Sequence, residues 1–465
     1  MSFQIKDLLH ILFLSTAVFL FVIDLFILNV SLPNIQHALH LSNSDTQWII
    51  VLYIVGYASI LIYAGNAGNR YGKKKLYLVG MAGFTLASFL CGVSSNLYAL
   101  LLGRLAQGIS AGLMVPQGIA LITLLFENPE KRSMALGIYG SIAGIASVIG
   151  QLLGGILPDQ TWINESWRLI FLIIVPIGFL AFFAIYRYTP KDDSSVKSSI
   201  SFMPMLTLFA LLMGIIFPLI MGPELKWPLW SQFLLGGTLF FVLLFLKKQR
   251  KLQQKGYPTL LNFFLFNNRI FNIGLLAALA YYMVQDAYFI INSNYLQNQK
   301  NYTSTMTGIA FIYQGMGYVL ASVIVSRLIQ RYGKIVILNG LGIMILGLLS
   351  HLFIFNTQFL DHDQLHALFF FYGIGCGSVL PALMTLALKD LNERLIADAT
   401  AVYLTIQQLS ICLGIACIVG VFLHQKESNF FGWQHISSSY GYSMSLSVIL
   451  LLSVVCAVAC LPSKK

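Results

Sequence analysis

Charged residues are scarce in this sequence. Only 10% of its 465 residues are charged, against about 25% in an average soluble domain, and no polar stretch is long enough to form a separate soluble domain. Hydrophobic residues make up 57% of the chain, and the mean hydropathy is +0.78. Apolar stretches of roughly 20 residues, the length that spans a bilayer, recur from about 11–33 to about 441–461. We count fourteen, which predicts an all-α protein with 14 transmembrane helices.

Acidic residues are scarcer than basic residues. The chain has 17 Asp and Glu against 28 Lys and Arg, a net charge of +11. All but five of the cations lie at the termini or in alternate loops, whereas the other loops hold three: Lys226, Lys300 and Lys426. This positive-inside bias orients the chain with both termini in the cytoplasm. The basic charge therefore does not indicate a nucleic-acid partner.

Several site chemistries are also missing. The chain has no phosphate-cradling glycine loop that ends in Lys and Ser or Thr, and no paired catalytic motif at one membrane depth. One external loop carries a cluster of possible metal ligands, Asp361, His362, Asp363 and His366, which a solvated loop explains equally well. We therefore expect no enzyme activity, no cofactor and no bound metal.

A repeated phrase is present instead. Arg70-Tyr71-Gly72-Lys73 recurs 261 residues later as Arg331-Tyr332-Gly333-Lys334, each time between two long apolar segments. The repeat predicts two homologous halves, which in membrane proteins usually form a transporter. We predict an N-terminal six-helix bundle in 1–190, two additional helices with cytoplasmic linkers in 191–260, and a C-terminal six-helix bundle in 261–465.

The two halves match beyond this phrase. One predicted span in each half carries two glycines and a proline at the same spacing: Gly108, Gly112 and Pro116, then Gly373, Gly377 and Pro381. The rare intramembrane acids Asp24 and Asp286 lie within one position of the 261-residue offset. Because that offset comes from the loop phrase, the acids are independent support for the repeat.

Five stretches, in order along the chain, resemble motifs of the major facilitator superfamily and of its fourteen-helix drug:proton antiporter branch. The first span has an acid followed by Asn-Val-x-Leu-Pro, from Asp24 to Pro33, and the next loop is similar to Gly-x-x-x-Asp-Arg-x-Gly-Arg-Arg. The fourth span carries Arg104-Leu-Ala-Gln107-Gly108-Ile-Ser-Ala-Gly112, similar to Arg-x-x-Gln-Gly-x-x-x-Gly, and the fifth ends Gly150-Gln151-Leu-Leu-Gly154-Gly155, near the antiporter motif Gly-Pro-x-x-Gly-Gly. The thirteenth span carries Gln407-Gln408-Leu-Ser-Ile-Cys-Leu-Gly414, similar to a family stretch that begins Arg-Gln-Leu-Gly. The resemblance covers the whole chain and implies two six-helix bundles around a central cavity, with two extra helices.

The resemblance also implies roles for two further groups of residues. A gating-loop motif would comprise Gly65, Asn69, Arg70, Gly72, Lys73, Arg331, Gly333 and Lys334, and an antiporter motif that packs helices together would comprise Gly150, Gln151, Gly154 and Gly155. Three positions depart from the family pattern: Asn69 replaces an Asp, Gln151 replaces a Pro, and Gln407 replaces an Arg.

Three charged residues inside spans are candidates for the transport chemistry. Asp24 is expected to carry a proton, or else to be a neutral acid that a neighbouring helix satisfies. Asp286 is expected to attract a cationic substrate or share the proton, or else to be an interfacial acid in an aromatic belt. Arg104 is expected to tune Asp24, or else to link helices, because an unpaired guanidinium inside a membrane is costly.

The function expected from these residues is proton-coupled export of small amphipathic or cationic compounds by alternating access. The alternative is a major facilitator transporter for a specific endogenous solute, such as a siderophore, a metabolite or a lipid, with or without standard proton antiport. The expected partners are a small-molecule substrate, protons and the lipid bilayer. We expect a monomer in the bacterial cytoplasmic membrane.

Overall fold

The described part of the chain is almost entirely helical. The computed structural model describes residues 5–161, 163–190, 203–255, 262–354, 361–389, 391, 393–424 and 439–459, and these contain no strand. The helices are α1 Ile5–Ala38, α2 Asn43–Tyr71, α3 Lys73–Gly92, α4 Leu97–Leu125, α5 Pro129–Ile156, α6 Leu169–Leu172, α7 Ile174–Tyr188, α8 Met203–Glu224, α9 Leu229–Gln254, α10 Arg269–Asn298, α11 Ser304–Tyr332, α12 Lys334–Ile354, α13 His362–Leu388, α14 Glu393–Gly414, α15 Gly420–His424 and α16 Ser439–Ala459.

The predicted all-α class is confirmed for these residues. Among them, thirteen helical stretches are long and apolar enough to cross a membrane. A shorter apolar helix, Ser443–Val455, lies in the fourteenth predicted span. Helices suit this setting because they satisfy every backbone hydrogen bond within one segment, where the bilayer core offers no water.

Local sequence signals explain several helix boundaries. Ser42 caps α2 in a capping box with Asp45, and Asn128 caps α5, which begins with Pro129. Gly72 separates α2 from α3 with φ 93°. Each signal stops or starts a helix where the chain must leave one span and enter the next.

The chain divides into two compact units. Unit 1 comprises Met1–Leu212 and Asn301–Gly308, and unit 2 comprises Met213–Lys300 and Ile309–Lys465. In unit 1, α1 packs on α5, and α4 packs on both α2 and α3; in unit 2, α10 packs on α14 and α16, and α12 packs on α13. This contact-based division does not separate the two additional helices, and the three-segment organisation stays a prediction.

The same helix contact recurs inside each unit. A Cβ added at Gly108 of α4 would lie 2.0 Å from the Tyr53 carbonyl oxygen of α2, and one at Gly373 of α13 would lie 2.0 Å from the Gln314 carbonyl oxygen of α11. Tyr53 and Gln314 are 261 residues apart, the offset of the loop phrase. The internal repeat is therefore visible as a repeated backbone-to-backbone approach that only glycine permits.

Candidate functional site

A buried ion pair joins α1 to α4. The Nη1 of Arg104 lies 2.5 Å from the Oδ2 of Asp24, and both side chains are 0% exposed. The two formal charges offset each other inside a membrane-spanning unit, where either one alone would be costly. Asp24 and Arg104, which the sequence placed on separate spans, are thus brought into direct contact.

Gln107 completes a small polar network around this pair. It donates from Nε2 to the Oδ1 of Asp24 at 3.2 Å and accepts from the Nη1 of Arg104 at 2.8 Å. The Nε of Arg104 donates to the Ile49 carbonyl at 3.0 Å, and the guanidinium lies 4.2 Å from the centre of the Tyr53 ring. In the sequence, Gln107 stands out only as part of a motif, and nothing there predicts its contact with the acid.

One nitrogen of the Arg104 guanidinium takes no part in this network. The Nη2 of Arg104 is buried and has no hydrogen-bond partner within the described ranges. Buried ion pairs gain little net stability, because desolvation of two charges offsets much of their attraction. The buried pair is therefore weak evidence for a contribution to folding stability.

Asp286 lies in a different setting, on α10 of unit 2. Its side chain is half-buried, and no ion pair to it occurs among the residues that the structure describes. Tyr282 and Cys412 lie near its carboxyl group, and the rings of Tyr282 and Tyr403 are 6.3 Å apart, edge to face. The acid therefore lies near Tyr282, without a described cation to neutralise it.

His351 of α12 is a third buried polar feature, and it was not among the predicted site residues. Its side chain is 0% exposed, its Nδ1 lies 2.7 Å from the Gly347 carbonyl oxygen, and its Nε2 lies 2.8 Å from the Tyr288 hydroxyl. Because a carbonyl only accepts, we assign the proton of a neutral ring to Nδ1 and the hydroxyl as donor to Nε2. This bond ties α10 to α12, and a histidine inside an apolar run was the signal that could have revealed it.

The repeated loop phrase adopts related structures in both copies. Gly72 has φ 93° and Gly333 has φ 55°, both in the region that favours glycine. Arg70 lies 5.2 Å from the centre of the Tyr71 ring, and Arg331 lies 5.4 Å from that of Tyr332.

Lysines of these loops also contact helix ends. Lys74 donates to the carbonyl oxygens of Tyr186 and Thr189, at 2.9 and 2.5 Å, and Lys334 donates to the Ala459 carbonyl at 3.1 Å. Cations at helix C-termini offset the partial negative charge there. Lys74 matches the last Arg of the loop motif but was not named among the gating residues.

Two of the three residues that depart from the family pattern, Asn69 and Gln151, have contrasting surroundings. Asn69 is exposed, as is Gly65. Gln151 is 3% exposed, and its Oε1 has no hydrogen-bond partner in the described part of the chain.

We expect Gly333→Ala to lower stability through backbone strain alone. A Cβ at Gly333 meets nothing within 4 Å, yet the residue has φ 55°, which costs an L-residue about 1–2 kcal/mol. Gly342→Ala is the matched control, because that glycine lies within α12 and also faces open space. Thermal unfolding of the purified variants should rank Gly333→Ala below Gly333→Asn, since Asn tolerates this conformation, and Gly342→Ala near wild type. Equal melting temperatures for both alanine variants would contradict the argument.

The glycines of the predicted antiporter motif pack directly against other backbones. A Cβ at Gly150 would lie 2.9 Å from the Ile23 carbonyl oxygen, and one at Gly154 only 2.4 Å from that of Ile27. Ser31 donates to the Gly154 carbonyl at 2.8 Å. Gly155 faces the first turn of α11, where a Cβ would lie 2.6 Å from the Ser304 carbonyl oxygen. The motif thus presses α5 onto α1, the helix that carries Asp24.

Comparison with known proteins identifies the family. Residues 14–415 match the family model described as Major Facilitator Superfamily. The chain belongs to the Major Facilitator Superfamily. The chain also shares its fold with the crystal structure of a D-xylose-proton symporter, with a TM-score of 0.67 at 13% identity over 96% of each chain. The predicted major facilitator fold is confirmed.

Three relatives that are similar to this chain carry different names. The probable actinorhodin transporter of Streptomyces coelicolor is 28% identical over 85% of this chain and 69% of its own length. The methylenomycin A resistance protein of Bacillus subtilis is 28% identical over 92% and 90%, and the riboflavin transporter RibZ of Clostridioides difficile is 26% identical over 95% of each. The protein is therefore a multi-pass membrane transporter of small molecules and not an enzyme.

Proposed function

We propose that this protein exports small amphipathic or cationic compounds in exchange for protons. The observation that carries the proposal is the fully buried Asp24–Arg104 ion pair. The Asp24 carboxylate has a single described countercharge, Arg104, which lies on the neighbouring helix α4. Relatives whose names refer to antibiotic transport or resistance, in Streptomyces and Bacillus, support export as the direction.

The ion pair offers a simple coupling chemistry. When Asp24 is ionised, its two oxygens accept from Arg104 and Gln107. A proton taken up by one carboxylate oxygen removes the negative charge and with it the attraction that holds the guanidinium. Arg104 then keeps its bonds to Ile49 and Gln107 but loses its ionic partner. Protonated and ionised forms would thus favour different packing of α1 against α4, and alternating access needs two such states.

Asp286 is assigned to recognition of the cationic end of the substrate. Its carboxyl group is half-buried, near Tyr282, and has no described cation. Aromatic faces and a carboxylate together attract an organic cation through cation–π and ionic contacts. Asp24 already has its cation, so we assign the proton to Asp24 and the substrate charge to Asp286.

The membrane placement is part of the same proposal. The positive-inside bias supports a cytoplasmic location for both termini, and the Streptomyces, Bacillus and Clostridioides relatives support a bacterial inner membrane. We propose that the protein works as a monomer.

The proposal is tested by function in cells and in vesicles. Cells that express the chain should gain resistance to several cationic amphipathic dyes and antibiotics, and everted vesicles should accumulate such a dye when respiration acidifies their lumen. An ionophore that collapses the proton gradient should abolish the accumulation. If no dye or antibiotic of this class is moved under any gradient, multidrug export is wrong.

A transporter for one endogenous solute remains the second candidate. The riboflavin transporter RibZ is similar over 95% of both chains, and Asn69 and Gln151 depart from the antiporter pattern. A growth or uptake screen with metabolites separates the two functions, because a dedicated transporter should respond to one solute and leave dye resistance unchanged.

A further inference from the structure

The C-terminal end of α9 is the most strongly charged segment of the described chain. Five cations fall within nine residues, without a single acid among them: Lys247, Lys248, Arg250, Lys251 and Lys255. All five are exposed. The ion pairs found among the described residues join Arg104 to Asp24, Lys131 to Asp7 and Arg168 to Glu165. None of them neutralises this group, which we call the basic segment.

The five cations share one side of the helix. Lys247, Lys251 and Lys255 follow one another at four-residue spacing, and Lys248 lies seven residues before Lys255, so all four fall on neighbouring rows. With Arg250 they span roughly half of the helix circumference. Gln249, on the opposite side, is buried at 8% exposure. The charge is therefore concentrated on the outward face of α9.

That outward face is apolar in the preceding turns. Phe240, Phe241, Leu243 and Leu244 are 58%, 61%, 59% and 42% exposed. Leu243 and Leu244 lie one turn before Lys247 and Lys248, on the same rows. A surface that changes from exposed apolar groups to exposed cations within one turn matches the passage from lipid chains to lipid headgroups.

The length of α9 places this change at the membrane surface. Trp227 and Trp230, at the other end of the helix, are 41% and 42% exposed, as expected for aromatic residues at an interface. Lys247 follows Trp230 by 17 positions, about 26 Å along a helix, close to the ~30 Å of a hydrocarbon core. The cations thus lie where phosphate groups begin.

We propose that the basic segment binds anionic phospholipid headgroups. Clusters of four to eight Lys and Arg directly beside a transmembrane helix attract anionic lipids, and five cations without an acid supply that charge here. Orientation in the membrane requires only an excess of positive charge across all the loops, and that excess persists without these five. The proposed partner is therefore a lipid with net negative charge, held at the end of an additional helix that has no counterpart in the repeat.

Lipid retention by the purified full-length protein tests this proposal. Native mass spectrometry should show phosphatidylglycerol retained in preference to phosphatidylcholine, which carries the same phosphate but no net charge. Replacing all five cations by Gln should reduce phosphatidylglycerol retention by at least roughly tenfold, because each Lys or Arg near an anionic surface adds to the attraction. Replacing the Lys residues by Arg, with Arg250 kept, should leave it unchanged.

A matched control removes the same number of cations elsewhere: Lys75, Lys131, Arg132, Arg187 and Lys389. This control should retain phosphatidylglycerol as wild type does, and the accessibility of a C-terminal tag should show that all variants keep one orientation. The proposal is overturned if the five-Gln variant retains as much phosphatidylglycerol as wild type, if the control loses as much, or if wild type holds both lipids equally.

Discussion

Asp24→Asn should abolish proton-driven dye accumulation in everted vesicles, down to the level of vesicles without the protein. The amide keeps the size of the carboxyl group and cannot exchange a proton. It also leaves Arg104 buried without its countercharge, a loss that costs about 3–5 kcal/mol when one partner of a buried pair is removed. The amount of folded protein in the membrane must therefore be measured beside transport.

A double variant separates coupling from folding. Asp24→Asn combined with Arg104→Gln removes both charges together, so it should recover much of the stability lost in the single variant. It should still fail to accumulate dye against a gradient, because no titratable group remains at the pair. Asp24→Glu, which restores a carboxylate, should regain part of the activity. If Asp24→Asn transports as wild type does, the coupling role belongs elsewhere, and Asp286 is the next candidate.

Gly154→Ala should damage the protein although it adds one methyl group. The new Cβ would lie 2.4 Å from the Ile27 carbonyl oxygen of α1, with backbone atoms of Ile27 at 3.0 Å, so the helices must move apart. Overpacking of this kind typically costs 1–3 kcal/mol. Because the contact lies one turn from Asp24 on α1, we expect a large loss of transport together with a lower melting temperature.

Gly140→Ala is the matched control on the same helix. Gly140 is exposed, and a Cβ there meets nothing within 4 Å. Alanine is a better helix former than glycine, so this variant should be as stable as wild type or slightly more stable, with normal transport. Thermal unfolding and dye accumulation of the two alanine variants provide the comparison. A Gly154→Ala protein that melts and transports as Gly140→Ala does would show that the close contact is not required.

The sequence was sufficient to predict the helical class and the existence of the repeat. Long apolar runs separated by glycine and cation-rich loops determine where helices start and end, and those signals are local. The phrase at Arg70 and its copy at Arg331 gave the offset that reappears in the contacts of Tyr53 and Gln314. Turns at Gly72 and Gly333 were likewise predictable, because only glycine adopts their backbone angles at low cost.

The pairing at the candidate site was beyond sequence reasoning. Asp24 and Arg104 are 80 residues apart, and their contact depends on how α1 and α4 pack. Gln107 lies one turn from Arg104, and the spacing alone could not show that its amide bridges both charges. The bond between Tyr288 and His351 has the same origin, since each residue satisfies the other only after α10 and α12 pack.

The most direct test of the account measures proton movement itself. Purified wild-type protein would be reconstituted into liposomes with an imposed pH gradient. A dye that the protein transports would then be added on the less acidic side, so that the dye crosses the membrane in exchange for protons. The account predicts that dye addition dissipates the gradient in wild type, and that Asp24→Asn liposomes with equal protein show no response. Dye transport without any proton movement in wild type would contradict it and favour a transporter without proton antiport.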